Sequence, residues 1–133
     1  MPNRAIQLGL LALLAGCDER DRLTFPSNEP GGDDEGPVTT IHTPSVDSFL
    51  TEGDPFIVAG RTVDPNGVDT VYFEVFGTGQ AFLPFHGGGD DTVDFGLPIP
   101  TIGLSGSTVV VRVRGVDLAG NQGLTAIRQL TIE

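Results

Sequence analysis

The chain has no tryptophan, one cysteine and not a single lysine among its 133 residues. A lone cysteine excludes an internal disulfide, so the fold must hold by burial and hydrogen bonding. With seven arginines as its only strong cations against 18 acidic residues, the chain lacks the basic clusters that phosphate contacts require. Nucleic acid and an anionic membrane face are therefore excluded as partners. Long apolar runs are equally scarce. The one present, Ala5 to Leu14 interrupted by Gln7 and Gly9, covers at about 1.5 Å per residue roughly half of a bilayer core of about 30 Å. Beyond it no stretch keeps apolar residues at helical spacing without a Gly or Pro intervening, which leaves strands as the expected elements.

Catalytic constellations are missing too. The only histidines, His42 and His86, lie 44 positions apart and neither has metal spacing nor a serine in a nucleophile-elbow setting. Solvated or capping roles are expected for both. Gly87-Gly88-Gly89 is no phosphate loop, because no Lys-Ser/Thr follows and no helix opens there. No catalytic residue is assigned and no enzyme is expected.

What is present begins with an address. Arg4 and the short apolar run read as a secretory leader, closed by the small residues Ala15 and Gly16 before Cys17. Leu14-Ala15-Gly16-Cys17 resembles a bacterial lipobox, although an ordinary signal peptide with a cysteine falling there is the plainer alternative. The resemblance implies that residues 1–16 are removed as a lipoprotein signal peptide. It further implies that the Cys17 thiol carries a diacylglyceryl group and that the new amino terminus is acylated with a fatty acid such as palmitate. Several acyl chains give durable anchoring that one chain does not. Export to an oxidising compartment also makes lipidation a better account of a lone thiol than free reactivity. The membrane, reached through lipid on Cys17, is thus an expected partner. The expected location is the cell envelope, on the periplasmic side or the cell surface.

The mature chain would carry six basic and 18 acidic residues, a formal −12. Residues 17–37 read as a disordered acidic linker, with Leu23 and Phe25 its only sizeable apolar groups. Too little burial is available there to offset ordering entropy. A Gly-rich chain of that length reaches roughly 25 Å, enough to hold a domain clear of the membrane. Docking of Leu23 and Phe25 on the domain is the alternative.

From Val38 onward, short β-branched and aromatic runs alternate with Gly, Pro, Asp and Asn clusters. Val109, Val111 and Val113 share one face of a strand over 108–116, with Arg112 and Arg114 on the other. Val71, Phe73 and Val75 oppose Thr70, Tyr72 and Glu74 over 68–76, and Val93, Phe95 and Leu97 share a face over 92–97. Further strands are expected at 38–43, 46–51, 56–63, 81–85 and 124–132. Seven or eight short strands over 38–133 predict an all-β, single-domain, two-sheet sandwich. The stretches Val63-Asp64-Pro65-Asn66-Gly67-Val68-Asp69-Thr70-Val71 and Val111 to Asn121 resemble the second-to-third-strand corner and the last hairpin of bacterial immunoglobulin-like domains. Antibody hallmarks are absent, with neither Trp nor a Cys pair.

The resemblance to an immunoglobulin order brings the corner 64–69, the loop 87–91 and the hairpin 117–121 to one end, so that Asp64, Asp69, Asp90, Asp91 and Asp117 converge. Calcium takes six to eight oxygen ligands, and these carboxylates are its candidates, although no EF-hand loop pattern is present. Turn capping is the structural alternative. The same order puts the tether at that end and directs Glu133 outward, which favours a sheet face or an edge strand as contact surface. Outward Val110, Tyr72 and Phe76 are its candidates. The expected function is a lipid-anchored, non-enzymatic binding or accessory module with an unidentified protein or glycan partner. A calcium-dependent adhesin-like module using the acidic loops is the alternative, and a sandwich hydrolase has no nucleophile to name.

Overall fold

The computed structural model describes residues 34–133; the leader, the Leu14–Cys17 motif and the linker up to residue 33 lie outside the described residues. Eight strands follow in order: β1 Val38–Thr43, β2 Ser48–Leu50, β3 Phe56–Val63, β4 Val68–Phe76, β5 Phe85–His86, β6 Thr92–Ile99, β7 Thr108–Asp117 and β8 Ala126–Ile132. They form two sheets, β1-β3-β6 and β2-β8-β7-β4-β5, antiparallel throughout except where β2 runs parallel to β8. This is the expected all-β, immunoglobulin-like sandwich.

Period-two patterning places the core. On β6, Val93, Phe95, Leu97 and Ile99 are buried while Thr92, Asp94, Gly96 and Pro98 are exposed. On β7, Val109, Val111 and Val113 point inward and meet Val58, Val71, Leu130 and Ile132. Each such fully buried aliphatic side chain stabilises the fold by roughly 1.5–3 kcal/mol relative to exposure. Phe73 and Phe95 touch edge to face across the sheets, with centroids 5.5 Å apart. Gly60 is small for a reason: a Cβ there would run into the Thr40 carbonyl and the Phe95 ring.

The chain crosses between sheets from β1 to β2 through a cis Thr43–Pro44 peptide. Arg128 of β8 secures that corner. Its Nε donates to the Pro44 carbonyl at 2.8 Å, and its terminal nitrogen donates to the carbonyls of Ile41 at 2.6 Å and Ser45 at 2.9 Å.

The structure corrects the element boundaries at several places. The strand expected over 81–85 shrinks to Phe85–His86, paired with Val71 and Thr70. Pro84 has no N–H to donate, and Phe82 turns to pack on the core instead. The strand expected over 46–51 keeps only Ser48–Leu50, because the Ser48 hydroxyl donates to the Val46 carbonyl at 2.8 Å and closes a bend. The last strand starts at Ala126, not Leu124, and β6 runs on to Ile99 through Pro98. An edge strand tolerates that proline because one of its sides lacks a strand partner. Thr70, expected on the outward side with Tyr72 and Glu74, is buried. Its register is still the outward one, opposite Val116 and His86, and it is covered there by its neighbours, with the His86 ring nitrogen 3.5 Å from its hydroxyl.

Candidate functional site

The register fixes the two ends of the sandwich. Phe56 pairs with Ile99 at one end of β3, and Val63 pairs with both Thr92 and Val38 at the other. Eight residues at about 3.3 Å each separate these ends by roughly 25 Å. The chain enters the domain at the Val63 end, where Pro37 is buried against the hairpin after β7.

At that entering end the corner 64–69 and the loop 87–91 are joined through their backbones, and the hairpin 117–121 begins beside the corner where Asp117 pairs with Val68. The Asp64 N–H donates to the Asp91 carbonyl at 2.9 Å, the Val68 N–H to Asp90 at 2.8 Å and the Gly87 N–H to Asp69 at 2.7 Å. Gly67 adopts φ +102° in the turn, and a Cβ there would sit 2.7 Å from the Gly89 carbonyl. The carboxylates themselves go separate ways. Asp64, 2 % exposed, accepts the Asn66 N–H on Oδ1 at 2.8 Å, while its buried Oδ2 meets no donor. Asp117, 1 % exposed, accepts the Asn121 backbone N–H at 2.8 Å on Oδ1 and the Asn121 side-chain amide at 3.0 Å on Oδ2. Asp69, Asp90 and Asp91 are exposed. Among the described residues no group of three or more His, Cys, Asp or Glu side chains is placed to hold a metal ion. His42 and His86 lie exposed in β1 and β5, each beside a threonine hydroxyl, at 3.4 and 3.5 Å.

The outer face of the five-stranded sheet holds a different arrangement. Outward alternation on β4 and β7 sets Tyr72 beside Arg114, Glu74 beside Arg112 and Phe76 beside Val110, and Ile127 of β8 lies next to Arg112. The Arg114 guanidinium stands 4.8 Å over the Tyr72 ring and donates to Gln122 Oε1 at 3.1 Å. Arg112 has no such partner: its Nε is buried without an acceptor, and no ion pair forms with Glu74. The only ion pair among the described residues joins Arg61 to Asp94 at 2.6 Å on the other sheet. That hydrogen bond holds the Asp94 carboxyl below the usual carboxylate range and raises the Arg61 guanidinium. The buried Nε is out of reach of an outside partner, but the terminal guanidinium nitrogens, unpaired among the described residues, can donate to an anionic or hydrogen-bond-accepting group at this face. The strand pattern named Tyr72, Phe76 and Val110 as outward. It did not reveal that Arg112 is left over, which depends on where Glu74 and Gln122 fall.

No family model and no curated protein matches this chain. Solved structures do. The SrpA adhesin from Streptococcus sanguinis aligns with a TM-score of 0.51 at 14 % identity, covering 78 % of this chain and 61 % of that one. The R347E mutant of the same adhesin aligns at 0.49 and 16 % identity, over 76 % and 57 %. This chain thus spans about three fifths of the length of those adhesin structures. At such identities the likeness is one of fold: the described residues form an immunoglobulin-like sandwich of the kind seen in a bacterial adhesin.

Proposed function

We propose that the chain is a lipid-anchored, exported, non-enzymatic binding module of adhesin type, held at the cell envelope through Cys17. On this reading it contacts a protein or glycan through the outer face of the five-stranded sheet. The observation that carries the contact surface is Arg112, a cation that makes no hydrogen bond or ion pair among the described residues, flanked by Tyr72, Phe76 and Ile127. The adhesin-like fold and the absence of any nucleophile and base pair in the sequence support a module that binds without reacting. Edge pairing is a poorer route, since β6 carries Asp94, Gly96 and Pro98 facing out, devices that discourage strand addition.

Arg112→Ala should weaken capture of an acidic glycan or protein on an array by about tenfold, while circular dichroism and melting stay close to wild type. Retained binding would remove this face from the proposal. The anchor has its own test: Cys17→Ala should move the protein from the membrane to the soluble fraction and block leader removal. Unchanged fractionation refutes lipidation.

A second reading rests on Asp64. Its buried Oδ2 meets no donor, and a calcium ion completed by water would supply the missing partner there without help from the other loop carboxylates. Calcium in the millimolar range should then raise the melting temperature, and a flat titration eliminates this reading.

A further inference from the structure

At the end opposite the one where the chain enters, a groove of about 610 Å³ runs from the last outward pair of the three-stranded sheet onto the adjoining loops. Its surface is apolar: Pro55, Ile57, Pro98, Pro100 and Ile102 line it, with Phe56 beneath. Ile102 is 81 % exposed and Ile57 57 %, so water meets this surface directly. Three of these are prolines, which present a stiff apolar face that loses little freedom when covered.

The walls are preformed. The Gly53 N–H donates to the buried Thr101 hydroxyl at 3.0 Å, and that hydroxyl donates to the Asp54 carbonyl at 2.9 Å. Across the mouth, the Gly103 N–H donates to Glu52 Oε2 at 2.7 Å, and the Glu52 N–H to the Glu133 carbonyl at 2.8 Å. The loops 51–55 and 100–107 therefore do not have to be ordered at the moment of binding.

Charge decides what such a groove accepts. The loops at this end, 51–55, 77–84 and 100–107, with Glu133, contain Glu52, Asp54 and Glu133 and no basic residue. Arg61, Arg112, Arg114 and Arg128 all belong to strands. An apolar floor inside an acidic rim repels anionic lipid and acidic glycan and attracts cations on its partner. Pro98 cannot donate to an added strand, so recognition runs through side chains and not through a full ladder.

We propose that this groove docks an extended apolar segment of another protein, flanked by arginine or lysine side chains. The site lies at the end away from Pro37 and shares no residue with the Arg112 face. It stands independently of that reading.

The test uses the full chain and two labelled synthetic peptides, each with Leu-Pro repeats, one flanked by paired arginines and the other by paired glutamates. Fluorescence anisotropy should show binding of the arginine peptide, weakened at least tenfold with glutamates in its place. Ile102→Asp should cost about tenfold by removing floor contact, and Asp54→Lys severalfold by reversing rim charge. Both positions are exposed, and no bond runs through the Asp54 carboxylate, so both variants should fold. Arg112→Ala should leave peptide affinity unchanged, which separates failure here from failure of the sheet face. Equal affinity for the two peptides, or an Ile102→Asp variant that binds as well as wild type, overturns the proposal. Sedimentation showing a dimer that Ile102→Asp dissolves also overturns it, with a second copy as the occupant.

Discussion

The two ends of the sandwich are both rich in carboxylates and use them in opposite ways. Where the chain enters, Asp64 and Asp117 turn inward and close their own loops, each nearly free of water contact. At the far end Glu52 and Asp54 stay at the surface around apolar side chains that nothing in the domain covers. Buried Asp64 and Asp117 thus serve geometry alone, whereas at the far end Glu52 both holds Gly103 and joins Asp54 in an electrostatic field. A count of aspartates per loop does not separate the two uses; burial and the direction of each oxygen do.

The contrast predicts that damage at the entering end is read in stability and damage at the far end in binding. The largest effect is expected for Asp117→Ala, which removes the carboxylate that accepts the Asn121 backbone and side-chain N–H groups and should cost about 2–3 kcal/mol, with a fall in melting temperature of roughly 10 °C or more by calorimetry. An unaltered melting curve would erase the distinction between the ends. Gly67→Ala comes next. Its φ of +102° and the Gly89 carbonyl behind it should make the change cost about 1–2 kcal/mol in a denaturant titration.

A smaller effect comes from the exposed pair on the three-stranded sheet, which belongs to neither end. The Arg61 bond lowers the Asp94 carboxyl in the folded chain, so its contribution is complete above the ordinary aspartate pKa of about 3.9. It is lost as pH falls through the lowered folded value. Solvent and salt screen a pair at the surface, so Asp94→Asn should differ from wild type only slightly at neutral pH. The two acid-unfolding curves should merge at the lowest pH. Smallest of all, Ile102→Asp should leave stability within about 0.5 kcal/mol, in contrast with its effect on peptide binding.

Much of the fold was legible because sheets with one wet face write their period into the sequence. Val109, Val111 and Val113, and Val93, Phe95 and Leu97, announced β7 and β6 through strict alternation. Two-residue β5 left no period to read, since it exists only because Thr70 and Val71 wait for it 15 or so positions upstream. The register shift at Asp69 likewise belongs to the pairing of β4 with β7 and not to either strand alone. The meeting of the acidic loops followed from strand order, yet the inward turn of Asp64 and Asp117 did not, because side-chain direction at a corner is set by the turn. The groove was hidden for a further reason. Pro55, Pro98 and Ile102 are separated by up to 47 positions, and only the antiparallel match of β3 with β6 brings their segments into one surface.

The corner held by Arg128 has a mechanical meaning for a domain pulled through its first residues. Tension arriving at Pro37 loads β1, whose ladder to β3 lies along the line of pull and must slide before it parts. Behind it, one guanidinium grips three carbonyls across the turn, so the force cannot peel β2 from the second sheet until that rivet lets go. A module built this way resists being unravelled from its leading end.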